Sequence, residues 1–279
     1  MTTPNIEKKK IGLTNIDSRI IWLLLLFVVG IPLLNPIGLP VQVSPTTRDF
    51  HNTLRSAQGG VIALALDTDP AGLAELGPQL TAILHLARDN NIKVILVGWN
   101  NNAGFYADTY LPKVFSDVWE TRYGIDFVNL GFIPGGETGM KQFAEDTWSI
   151  TSDHYGESIS QLPIMENIRT ASDLDYIIEF CWNIDLPQNI MRQFVAPGYT
   201  KMLAASTALV YPSLLPFIGP DKSIVAAVKG LDGAAQLELL SGHPGEALKG
   251  TDAQSLAHIL LIIFIVLGNI GLIFRGGKR

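Results

Sequence analysis

Hydrophobic positions along the chain fall into two kinds of run. Near both ends they are long and unbroken. Between the ends they are short, bounded by turn residues, and separated by segments of helical period. From Ile20 to Thr47 there is no charged residue, and residues 20–34 (IIWLLLLFVVGIPLL) are almost wholly aliphatic or aromatic. From Ala253 to Phe274 there is again no formal charge, with HILLIIFIVLGNIGLIF at the centre. A hydrocarbon core about 30 Å thick takes roughly 20 mainly apolar residues in a helix, so the pattern predicts membrane spans over 20–40 and 253–274. Lys8, Lys9, Lys10 and Arg19 precede the first run as they would in a signal peptide, but no small-x-small cleavage site follows. The continuation is Asn35-Pro36-Ile37-Gly38-Leu39-Pro40, so the segment reads as a retained anchor.

The intervening stretch alternates strand and helix patterns. Residues 61–66 (VIALAL) are apolar on both faces and end in Asp67-Thr68-Asp69-Pro70, as a central parallel strand would. Leu73, Leu76, Leu80, Ile83, Leu84 and Ala87 then share one helical face. A strand is expected at 92–97, followed by a helix carrying Leu111, Val114, Phe115, Val118 and Trp119, with Pro112 in its first turn. Further strands are expected at 125–130, within 174–181, at 201–205 and at 223–228, with helices at 137–148 and 188–195. The period is lost over 149–170. Such βα repetition predicts a doubly wound, Rossmann-like, mainly parallel sheet over residues 41–250, set between the two anchors.

Charge orients this plan. The chain of 279 residues carries 20 Lys+Arg and 26 Asp+Glu, net −6, with mean hydropathy +0.26. Removing the four basic and two acidic groups of residues 1–19, and Arg275, Lys278 and Arg279 of the tail 275–279, leaves 13 basic against 24 acidic residues, net −11. Basic flanks stay in the cytoplasm, so both termini are expected inside the cell membrane and the main domain outside it. The acidic balance gives no electrostatic case for nucleic acid. Cys181 is the single cysteine, so no intrachain disulfide framework exists, and no Cys/His cluster has zinc-ligand spacing.

Open parallel sheets bind ligands beyond the carboxyl ends of their strands. Asp67 and Asp69 follow the first strand, where two carboxylates can hold a cation or a ligand hydroxyl; the alternative is that Asp69 or Thr68 caps the next helix. Trp99 and Asn100, after the second strand, offer an aromatic and an amide to a ring-shaped ligand, or simply form a turn. Gly135 and Gly136 open a helix and can present N–H groups to an anion, although Glu137 opposes one and neither phosphate-loop motif is present. His154, with Asp153 or Glu157, lies in the irregular stretch and can serve as acid/base, or can belong to a contact loop. Ser206 sits at a strand terminus as a nucleophile would, and meets His154 only through tertiary folding. Cys181 closes another strand as a nucleophile or a buried thiol. No G-x-S-x-G or H-E-x-x-H motif occurs. His51 and His243 fall in expected loops and His85 on a helix beside Arg88, where solvated roles suffice. Residues 229–240 read as a glycine-hinged amphipathic helix, with 242–245 against the membrane surface or a neighbouring subunit. In the second span, Asn269 between Gly268 and Gly271 fits helix packing, and Asp252 reads as that span's cap.

Several strings resemble a group of uncharacterised prokaryotic membrane proteins: NPIGLPVQVSPTTRDFH at 35–51, VNLGFIPGGETGM at 128–140, LPIMENI at 162–168, KGLDGAAQLELL at 229–240 and GTDAQSLAHILLIIFIVLGN at 250–269. The likeness covers nearly the whole chain and implies two anchors around a Rossmann-like domain. It implies no activity, cofactor or catalytic residue. Two classes of function follow from the sequence. One is a non-catalytic assembly, scaffold or ligand-sensing component, whose partners are the lipid bilayer and copies of itself or other membrane subunits. The other is a membrane-tethered hydrolase or transferase working at the strand ends.

Overall fold

The computed structural model describes residues 17–276, with the side chains of 271–276 outside the description. The basic residues Lys8, Lys9, Lys10, Lys278 and Arg279, on which the expected orientation rests, therefore lie outside the described residues. The described residues divide into two units, one of residues 17–39 with 249–276 and one of residues 40–248.

The larger unit is built on six parallel strands: β1 (Val61–Ala65), β2 (Lys93–Gly98), β3 (Phe127–Phe132), β4 (Tyr176–Cys181), β5 (Lys201–Ser206) and β6 (Ile224–Lys229). Their spatial order is β3-β2-β1-β4-β5-β6, the doubly wound arrangement of Rossmann-like sheets, which reverses direction between β1 and β4. The strands read as apolar runs because helices cover both faces. One core joins Ile62, Leu64, Val94, Leu96, Ile178 and Phe180 to helices α2 (Pro45–Arg55), α3 (Leu73–Asp89), α4 (Ala103–Phe115) and α9 (Gly230–Ser241). The other joins Ala63, Ala65, Ile95, Val97, Ile177 and Cys181 to α6 (Glu137–Glu145), α7 (Asp185–Ile190), the π turn Met191–Val195 and α8 (Tyr211–Leu214).

Several boundaries depart from the sequence expectation. α4 begins at Ala103, eight residues before Leu111, and Pro112 lies near its end rather than in its first turn. The start is set by Asn100, whose side chain accepts the Asn102 N–H at 3.0 Å while its carbonyl accepts the Ala103 N–H at 3.0 Å. α5 (Trp119–Arg122) is a single separate turn. Helix α2 replaces an expected loop: Ser44 accepts the Thr47 N–H, Pro45 occupies the first turn, and His51 is buried on the helix. The stretch 149–170 lost its period because it packs through short 3-10 turns, burying Ile159, Leu162, Ile164, Met165 and Ile168 against the second core.

In the smaller unit, α1 (Ser18–Leu34) has 17 residues, about 25 Å of helix, and the chain is irregular from Asn35. The helical part of the expected first span is thus shorter than 20–40. α10 (Glu246–Gly276) has 31 residues, about 46 Å, and its stretch Glu246–Ile270 is the one described helix long and apolar enough to cross a membrane. Its apolar side chains, Leu261, Ile262 and Ile265 among them, are exposed, as are Trp22, Leu26 and Phe27 of α1, which a soluble core helix would not allow. Asp252 lies inside α10 and does not cap it. Its carboxylate accepts the backbone N–H groups of Ile37 (2.8 Å), Gly38 (2.9 Å) and Leu39 (3.1 Å). Three consecutive N–H groups converge on one anion because Gly38 adopts φ +75°, the left-handed value that turns such a run into a nest.

Candidate functional site at the strand ends

Side chains alternate across a strand, and the second core takes the odd positions of β1, β2 and β4. Continued past the strand ends, that alternation brings Asp67, Trp99, Glu179 and Cys181 to one face, beside the reversal between β1 and β4. Glu179 is in register with Ala65 on one side and Ala204 on the other, two small residues that leave room for a carboxyl group within the sheet face. Asp67 and Glu179 are both fully buried.

Their hydrogen bonding is incomplete. Asp67 Oδ1 accepts the backbone N–H of Trp99 and that of Asn100 (2.8 Å), so it ties the end of β1 to the loop opening α4. Asp67 Oδ2 and both oxygens of Glu179 are buried without a partner. Burial pushes the Asp67 carboxyl up to about 7, against the pull of its two backbone donors. Burial, and then the neighbouring Asp67, push Glu179 well above the usual carboxylate range. The two acids oppose each other's ionisation, in the manner of paired carboxylates. Cys181 is driven up by burial and by the same two acids, so its thiol stays protonated and unreactive; it donates to the Glu179 carbonyl (3.4 Å). Further buried polar atoms without partners are Trp99 Nε1, Trp182 Nε1 just past β4, and Gln79 Oε1 on α3. The Gln79 amide donates to the carbonyls of Ser206 (3.0 Å) and Gly230 (2.9 Å), joining the end of β5 to the start of α9.

Several sequence-predicted residues have local work. Asp69 accepts the Ala71 N–H (3.0 Å) and caps the 3-10 turn Pro70–Gly72, the capping alternative foreseen for it. The Trp99 ring packs edge-on against Phe143 and Phe194, with centroids 6.0 and 5.8 Å away, and is a core ring rather than a stacking platform. Gly135 and Gly136 turn the chain into α6 with φ +103° and +55°. There Glu137 is gripped by Arg192 (2.8 and 3.0 Å) and Gln193 (2.9 Å), which hold its carboxyl down at about 2. An anion at these glycines would face a permanent carboxylate. Ser206 is fully buried and donates to the Thr207 carbonyl (3.0 Å). It lies on β5 while His154 lies against β3. Four strand intervals of ~4.8 Å set these strands about 19 Å apart, so the two do not form a nucleophile–base pair.

His154 belongs to a second polar cluster. Its Nε2 lies 3.3 Å from Oδ2 of Asp108 on α4, and its backbone N–H bonds the carbonyl of Asn129 (2.9 Å). Asp108 Oδ1 also accepts from the Tyr155 hydroxyl (2.5 Å) and the buried Asn129 amide (3.0 Å). Tyr155 is thereby raised to about 12, by burial first and then by Asp108. The imidazole rests on two glycines: a Cβ at Gly104 would meet its ring at 2.6 Å, and one at Gly131 at 3.1 Å. The acid facing His154 is therefore Asp108, not Asp153 or Glu157. Asp153 is spent on its own loop, accepting the N–H groups of Tyr155 (2.9 Å) and Glu157 (2.8 Å) and the Tyr123 hydroxyl (2.6 Å). Asp108 went unseen in the sequence because it lies 46 residues from His154 with no motif between them; Glu179 went unseen inside an apolar strand.

In α10 the Asn269 amide donates to the Ile265 carbonyl of its own helix (2.8 Å), and nothing lies within 4 Å of where a Gly268 Cβ would stand. The surroundings of Gly271 lie outside the described residues. Among the described residues no group of three or more His, Cys, Asp or Glu is arranged to hold a metal ion. No protein-family model, curated protein or solved structure matches the chain.

Proposed function

We propose that this protein is a membrane-anchored, ligand-sensing component whose α/β domain recognises a small polar ligand at the β1/β4 strand ends, around Asp67 and Glu179. The observation that carries the reading is the buried acidic pair with three unpartnered carboxyl oxygens at the point where the sheet reverses. Buried polar groups are almost always satisfied, and an exception calls for a reason beyond stability. A ligand with donor groups would supply the missing partners. The site stands where open α/β sheets place their ligands.

The anchoring forms part of the proposal: two spans, both termini cytoplasmic, the domain outside, and the bilayer with copies of the chain or other membrane subunits as partners. The exposed apolar surfaces of α1 and α10 support it, as do the basic flanks and the resemblance to two-anchor prokaryotic proteins. Native mass spectrometry of the intact protein, released gently from its own membrane, tests the reading. A small-molecule adduct on the wild type that is lost in Asp67→Asn and Glu179→Gln is the expected result. The same bare mass for all three proteins refutes ligand sensing at this pair.

A second reading, a tethered hydrolase or transferase, draws on the imidazole–carboxylate pair His154–Asp108, half-open to solvent. In that reading Asp108 fixes the ring and His154 moves the proton. Full activity of His154→Ala and Asp108→Asn on a substrate turned over by the wild type removes it.

A further inference from the structure

The joint between α9 and α10 carries a pair of histidines to which the ligand site gives no role. His243, in the loop 242–245, stacks on His85 of α3 with ring centroids 4.2 Å apart and planes 12° from parallel. His243 Nε2 lies 2.8 Å from Oδ2 of Asp89, one helical turn beyond His85. These contacts add specific partners to the partly solvated positions expected for both residues. We propose that His85 and His243 form an acid-sensitive latch, which holds the joint leading into α10 against α3 while the pair carries at most one proton and opens when both rings are protonated.

The charges around the stack favour one proton and oppose two. Asp89 is the anion in contact with the pair and can balance one imidazolium. Arg88, also on α3, adds positive charge beside it, although its guanidinium is engaged by Asp117 at 2.6 and 2.8 Å. His85 is half-buried, and its imidazole is held below its ordinary value by burial first, then by His243, with Arg88 adding to the same effect and Asp89 opposing it. On the α9 side of the joint the Glu238 carboxylate accepts the N–H groups of Gly245, Ala247 and Leu248, each at 2.9 Å. Glu246, in the first turn of α10, pairs with Lys113 of α4 at 3.5 Å. Glu238 is itself raised by burial, so acid favours its closed form, opposite in sign to the latch, and a test must keep the two apart.

The sign follows from linkage. A histidine whose folded value is depressed resists protonation only while folded, so acid favours the open joint, where both rings take protons freely. Hydrogen exchange of the full chain in nanodiscs, corrected for the intrinsic pH dependence, reads this in peptides covering 242–248. Between pH 7.5 and 5.0 the wild type is expected to lose protection severalfold. Glu238→Gln is expected to keep that pH response, and His85→Gln to abolish it with the joint closed at both pH values. An equal response in wild type and His85→Gln places the sensitivity outside the histidine pair and overturns the latch; so does no response in the wild type. Should His85→Gln fail to fold, imidazole NMR titration of the wild type decides. Two separated steps, one below the ordinary histidine value, support the latch, and a shared ordinary titration overturns it.

Discussion

Replacing Glu179 with methionine is expected to stabilise the protein. Wild-type Glu179 places two unpartnered oxygens in a fully buried position and sits against a second buried acid. A buried polar group without a partner costs about 1–3 kcal/mol. Apolar replacement of buried ionisable groups is commonly neutral or stabilising by about 1–4 kcal/mol. Ala65 and Ala204 on either side leave space for an unbranched side chain of similar length. A gain of about 2 kcal/mol in a domain of this size raises Tm by roughly 4–8 °C. The gain depends on pH in a stated direction. Asp67 rises from 3.8 to about 7 on folding, and Glu179 rises also, so the native state binds more protons than the unfolded chain. Their favourable contribution is full below about pH 4 and is lost as pH climbs through 7. Removing Glu179 should therefore help little at pH 5 and most at pH 8. Thermal unfolding of the intact protein in detergent, followed by circular dichroism from pH 5 to 8, measures both. A lower Tm for Glu179→Met at pH 8, or a gain that ignores pH, refutes the reading of an unpartnered acid pair. Glu179→Gln, which removes the charge but leaves polar atoms buried, should fall between the two.

Other residues give shorter tests. Gly104→Ala places a methyl against the His154 ring and should cost about 1–3 kcal/mol by overpacking; adding His154→Ala should recover most of that in a double-mutant cycle of denaturant unfolding. Asp252→Ala strips the acceptor from three backbone N–H groups, and protease cleavage within 35–40 should accelerate at least tenfold, while the unfolding temperature of residues 40–248 stays put.

The sheet was legible because each parallel strand, covered on both faces, writes itself as an apolar run closed by turn residues. Strand order was not, since it depends on which crossovers reverse, and neighbours along the chain do not reveal that. α4 was set too late because Pro112 reads as a start when the helix can tolerate it near the end, where Ser116 bonds back to its carbonyl. Asp67 was found by its place after a strand. Its partner was hidden, because a lone Glu inside YIIEFC carries no sign of which face it takes until β1 and β5 are laid beside it. Asp108 illustrates the same limit on the other cluster: a helix-surface carboxylate acquires meaning only when β3 and the loop after α6 bring Asn129 and His154 to it.

The Asp252 nest has an architectural consequence. It joins residues 215 positions apart, so the chain leaves the smaller unit at Leu39 and returns to it at Lys249 already fastened. The α/β domain is then an insertion between two stretches of the smaller unit that Asp252 ties to each other. A short linker from Leu39 to Lys249 would leave all three N–H contacts intact. The smaller unit could thus carry a different domain, exchanged by recombination at two fixed points, without redesign of its own contacts.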